Sequence, residues 1–150
     1  VAECPVITVR ESKEEAKFKT IVLPLDTTKE TKDKMASAIK IAKVFGATVH
    51  VISVSTLWDE WRVGGDKMKS QLEEVSAEIQ KAGVPVVTKV IRKEDITESV
   101  LDYAAEVKAD LLIIMTSAES KLAEFTVGSS ARTIITDSLI PVMSIRPGYK

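Results

Sequence analysis

Apolar and polar positions along the chain follow two alternating periods from Lys19 onward. Thr20-Ile21-Val22-Leu23-Pro24-Leu25 is a short apolar run that ends at Asp26 and a Thr-rich turn, the pattern of a strand buried on both faces. Met35, Ala38, Ile39, Ala42 and Phe45 then recur at helical spacing, closed by Gly46 at a C-terminal cap position. The β-branched run Val49 to Val54 reads as a second strand. Met68, Leu72, Val75, Ile79 and Ala82 step by four and three and mark an amphipathic helix, ended by Gly83. Pro85 to Ile91 reads as a third strand. Asp95 and Glu98 form a capping box for a helix whose inner face is Ile96, Val100, Ala104 and Val107. Leu111 to Met115 is the fourth and most apolar strand. A loop through Thr126 leads to a last helix with Ala131, Ile134 and Ile135, and Pro141 to Ile145 reads as the fifth strand.

Five short strands separated by four helices imply an α/β fold with right-handed crossovers and a parallel sheet covered by helices on both faces. Ligands of such sheets sit outside the carboxyl ends of the strands, where strand order reverses. The segments expected at that crevice are 26–28 and 116–130.

The two ends of the chain resemble each other. Residues 4–10 read Cys-Pro-Val-Ile-Thr-Val-Arg and residues 140–146 read Ile-Pro-Val-Met-Ser-Ile-Arg. At a constant offset of 136 the Pro, the first Val and the Arg are identical, and three of the other four positions are conservative. Pro before a β-branched run is common at sheet edges, so an unrelated N-terminal strand is one reading. The other is that residues 1–11 are the last strand of a preceding copy of the same domain, with residues 12–18 as a linker and residues 19–147 as the domain. Either way, Pro5, Val6, Ile7, Thr8 and Val9 are expected to dock beside the fifth strand, in the same chain or a neighbouring one.

Composition narrows the chemistry. Twenty-one Lys and Arg balance 22 Asp and Glu for a net charge of −1, which excludes a generic basic nucleic-acid binder and a polybasic membrane anchor. The longest unbroken apolar run is five residues, far short of the roughly 20 of a membrane-spanning helix. One cysteine, Cys4, excludes an internal disulfide framework, and one histidine, His50, excludes most His-based metal chemistry. No apolar segment follows a basic start, and a cytoplasmic location is the expectation. A chain of 150 residues buries enough surface, roughly 68–70%, to fold without staples.

No nucleophile–base pair is visible, and the expectation is a chain without catalytic residues and without a metal site. His50 lies mid-strand and is expected to point into the core or the helix layer. Asp95, Asp110 and Asp137 occupy cap or solvent positions. Trp58 and Trp61 follow the second strand beside Gly64-Gly65; they could form a lid or an interface, and packing against the next helix is the plainer expectation. No Walker loop is present, and the first strand is not followed by Gly-x-Gly-x-x-Gly. What remains is Val127-Gly128-Ser129-Ser130-Ala131 at the start of the last helix. It reads either as a simple N-cap or as a ligand loop, with a glycine for close approach, two hydroxyls and a helix N-terminus that favours an anion.

Taken together, these features resemble the universal stress protein family across about Phe18 to Pro147. The resemblance rests on Lys19 to Asp26, on Ala109 to Met115, and on Val127 to Ile135 followed by Ile140-Pro-Val-Met-Ser-Ile-Arg146. It implies a five-stranded parallel sheet in the order 3-2-1-4-5, like that of the wider adenine-nucleotide-binding α/β group, with the N-terminal strand as an addition. It also implies dimers through the fifth strand (Pro141, Val142, Met143, Ser144, Ile145), and tandem domains in many members.

One branch of the family binds ATP through a Gly, two residues, a second Gly, nine residues and then Gly-Ser or Gly-Thr. Here Thr116 stands at the first glycine position and Glu119 near the second, with eight residues before Gly128. Asp26 matches the family's adenine-contacting aspartate, so the nucleotide pocket implied comprises Asp26, Thr116, Gly128, Ser129 and Ser130. Glycine permits positive φ and close backbone approach, which Thr and Glu do not permit cheaply. Glu119 also brings a like charge toward a triphosphate, a repulsion of about 1 kcal/mol in water and about 4 kcal/mol at an effective dielectric of 20 at 4 Å. Lys121 and Arg132 offset part of it. The expectation is a stress-response regulatory or interaction module with no required cofactor and no tight ATP binding. The alternative is an adenine-nucleotide switch, using ATP and Mg²⁺, with an altered phosphate loop.

Overall fold

A computed structural model describes residues 4–10, 15, 17–25, 31–56, 61, 64–116 and 129–148. Its elements are β1 (Val6–Thr8), β2 (Thr20–Leu25), α1 (Thr31–Phe45), β3 (Thr48–Ser55), α2 (Gly65–Lys81), β4 (Val86–Arg92), α3 (Ile96–Glu106), β5 (Leu111–Met115), α4 (Ser129–Asp137) and β6 (Val142–Ile145). The sheet order is β1-β6-β5-β2-β3-β4. Its five parallel strands, β2 to β6, follow the expected order. The sheet is one strand wider, because β1 lies antiparallel on the outer edge of β6 within the same chain.

Period two divides each central strand between two cores. Ile21 and Leu23 face one way with Val49 and Val51, against Met35 and Ala38 of α1 and Leu72 and Ile79 of α2. Val22 faces the other way with Ile52 and Leu112, against Val100 and Tyr103 of α3 and Ile134 of α4. All five residues of β5 are buried, as the most apolar run must be when helices cover both faces. Burying each such side chain contributes about 1.5–3 kcal/mol. The edge strand β4 is mostly exposed, with Val87 and Val90 at 43% and 46%.

Local signals behave as the residues dictate. Gly46 and Gly83 close α1 and α2 at φ 62° and 80°, conformations that L side chains rarely adopt. The carboxylate of Asp95 accepts from the Glu98 amide at 2.8 Å, capping α3. Two expectations fail. Ile96, the first residue of α3, is 45% exposed, whereas Tyr103 of the same helix is buried. Trp61 is 76% exposed, more than packing against the next helix would leave it. Trp58 lies outside the described residues.

Candidate functional site

Strand order reverses between β2 and β5, which are parallel neighbours through Ile21–Leu111 and Val22–Leu112. The crevice at their carboxyl ends is therefore the ligand position of this fold. Thr116 follows β5 directly and borders it. Its amide donates to the Ile145 carbonyl at 2.9 Å and its hydroxyl to the same oxygen at 3.3 Å. The residue that stands at the first glycine position thus extends the β5–β6 ladder, and its side chain is spent on that ladder.

Ser130, in the first turn of α4, is exposed. It opens onto a hollow between α3 and α4 of about 270 Å³, lined also by Asp95, Glu98 and Asp137. Three carboxylates beside this hydroxyl oppose an anionic group there. Asp26 and Gly128 lie outside the described residues, as do the side chain of Ser129 and residues 119 and 121 of the intervening loop. Among the described residues, Thr116 directly follows β5 and Ser130 stands in the first turn of α4, on the α3–α4 hollow.

The sequence reading missed a basic group in this region. Lys34, in the first turn of α1, is only 2% exposed, and its ammonium donates to the Pro24 carbonyl at 2.8 Å. A buried ammonium needs such acceptors, because its desolvation is otherwise costly. The signal in the sequence was faint: Lys34 sits beside Met35 and one turn before Ala38, so it borders the inward stripe. A second hollow of about 380 Å³ lies at the carboxyl ends of β3 and β4, where Lys69, Arg92 and Asp66 meet the buried hydroxyls of Ser53 and Ser55. It stands on the β4 side of the sheet, away from the reversal point.

His50 is half-buried toward the helix layer, and its Nδ1 lies 3.0 Å from the Tyr103 hydroxyl. Burial lowers the imidazole pKa below its ordinary value of 6.5. The Tyr103 phenol is raised, first by burial and then by Glu106. The pair is a core contact on the α3 face, as the mid-strand position of His50 implied. Among the described residues, no group of three or more His, Cys, Asp or Glu could hold a metal ion, and no helix is long and apolar enough to cross a membrane.

The model of the Universal stress protein family matches residues 17–146. A universal stress protein of Methanocaldococcus jannaschii is 26% identical over 145 residues, covering 89% of this chain and 85% of that protein. Among solved structures, a universal stress protein from Archaeoglobus fulgidus in complex with dAMP has a TM-score of 0.67 at 22% identity, covering 86% of this chain and 98% of its own. Another, from Archaeoglobus fulgidus DSM 4304, has a TM-score of 0.79 at 19% identity. It covers 99% of this chain, which spans only 51% of it.

Proposed function

The chain belongs to the universal stress protein family, and from that membership we propose that it is a stress-response regulatory and interaction module that works without tight ATP binding and without catalysis. One observation carries this reading. Thr116 stands where the nucleotide-binding pattern needs a glycine, and both its amide and its hydroxyl are committed to the Ile145 carbonyl. A phosphate there would meet a Cβ and a tied backbone instead of a free, closely approachable amide. The acidic surroundings of Ser130 act in the same direction. The cytoplasm is the proposed location.

A second reading is supported by Lys34. Its ammonium, held at the carboxyl end of β2, supplies a point charge of the sign a phosphate requires, and a relative of the same fold is solved with dAMP. In this alternative, Asp26 contacts adenine, while Gly128, Ser129 and Ser130 face the phosphates.

Calorimetric titration with ATP, ADP and AMP at near-physiological salt separates the two. The module reading expects a Kd weaker than about 10 μM for each, and tighter binding, roughly −6.8 kcal/mol or more favourable, overturns it. In that event Ser129→Ala and Lys34→Met should each weaken the nucleotide. Retention of full affinity by both would exclude the proposed pocket as well.

A further inference from the structure

The face that β3 turns toward α2 changes character at its carboxyl end. Val49 and Val51 are fully buried there in the core that holds Leu72 and Ile79 of α2. Side chains alternate along a strand, so Ser53 and Ser55 come next in the same row. They are only 4% and 2% exposed, hydroxyls at positions where the row so far is aliphatic. The pairing with β4 sets Val90 opposite Ser53 and Arg92 opposite Ser55. At this level the packing against α2 opens into the hollow of about 380 Å³. Ser53 lines it, and no hydrogen bond to another described residue ties its hydroxyl. A buried hydroxyl is costly until something satisfies it.

The opposite wall of the hollow is the first turn of α2, whose leading amides have no acceptor inside the helix. Gly64 stands at the cap position with φ 83° and no side-chain cap. A Cβ on Gly65 would meet nothing within 4 Å, and its φ lies outside the positive range, so neither packing nor conformation requires glycine there. The missing side chain leaves the amides open to close approach by an anion. Lys69, one turn along, is exposed and forms no ion pair with another described residue. Arg92 lines the hollow from β4, and Asp66 is the single carboxylate among the lining residues. We propose that this hollow binds a phosphate group, held by the amides of Gly65 and Asp66, the Ser53 hydroxyl, Lys69 and Arg92. These donors come from three elements, and a tetrahedral phosphate presents oxygens in as many directions, which a planar carboxylate does not. The ligand is free phosphate or a small phosphate ester, whose carbon atoms would lie against Met68 and Val90. The site stands on β3, β4 and α2, apart from the crevice between β2 and β5, and does not depend on whether that crevice binds a nucleotide.

Titration of the full chain with inorganic phosphate at constant ionic strength, followed by amide chemical shifts, tests the proposal. Saturable shifts are expected at Ser53, Gly65 and Asp66 with a Kd of about 1–10 mM, and chloride should not reproduce them. Ser53→Ala and Lys69→Gln should each weaken the ion by about fivefold to tenfold. Asp66→Asn, which removes the opposing carboxylate, should tighten it by about twofold to fivefold. All three variants should keep the fold, since Lys69 and Asp66 are exposed and Ser53→Ala deletes only a hydroxyl. Glycerol phosphate separates the two sources: tighter binding than inorganic phosphate assigns an ester, and equal or weaker binding assigns the free ion. Shifts that do not saturate, that chloride reproduces, or that centre on Thr116 in the crevice overturn the proposal. So does unchanged affinity in both Ser53→Ala and Lys69→Gln.

Discussion

Single residues hold positions in this protein that their type does not advertise. Lys108 ends α3 with φ 51°, and the amides of Ala109 and Lys108 donate to Ala104 and Ala105, the paired bonds of a helix end that normally carries glycine. Lys108→Gly should raise stability by about 0.5–1 kcal/mol, seen as a Tm increase of roughly 1–4 °C. His50 works in the opposite sense on pH. Its folded pKa lies below 6.5, so on acidification the unfolded chain takes up the proton first. Stability is full above about pH 6.5 and declines below it, until the folded imidazole also protonates. Urea midpoints near pH 7.5 and 5.5 should fall farther apart for the parent than for His50→Gln; equal declines would show that His50 does not contribute.

Elements were legible wherever the apolar period was strong. The wholly apolar β5 and the four-and-three stepping of Leu72, Val75 and Ile79 needed no tertiary information, since burial on two faces or on one stripe follows from residue type. Legibility failed at the ends of elements. Ile96 belongs to the helical pattern of α3, yet at the very start of the helix its side chain stays exposed. Asp110 reads as a solvent residue in sequence, but its carboxylate accepts from the amides of Lys19 at 2.8 Å and Thr20 at 2.9 Å. It joins the start of β5 to the start of β2, ninety positions away. Asp110→Ala should cost about 1.5–3 kcal/mol by orphaning two amides, measured by urea unfolding, and Asp110→Asn should recover part of it. A cost below about 0.5 kcal/mol would leave the latch without energetic weight.

At the scale of the molecule, the sheet is deepest at β2, β3 and β5 and shallow at both rims. Amide exchange should follow that gradient: β5 and β2 last, β4 and β1 first, because the rim strands have one neighbour and exposed side chains. Protection of β4 equal to that of β5 would contradict it. The candidate site was half legible. Thr116 was named from the family resemblance and Ser130 from the Gly-Ser-Ser start of the last helix, but their surroundings were not, since the Ile145 carbonyl and the Asp95–Glu98–Asp137 group come from distant parts of the chain. The sequence by itself determined the α/β class, the strands and helices, and the likeness of residues 4–10 to residues 140–146, because periodicity and local resemblance are properties of single segments. Only the tertiary structure decided that Lys34 is buried at the end of β2, that Thr116 is tied to β6, and that β1 meets β6 with Ile7 opposite Met143. Partners across a sheet are chosen by the packing of the whole chain, which no single segment encodes.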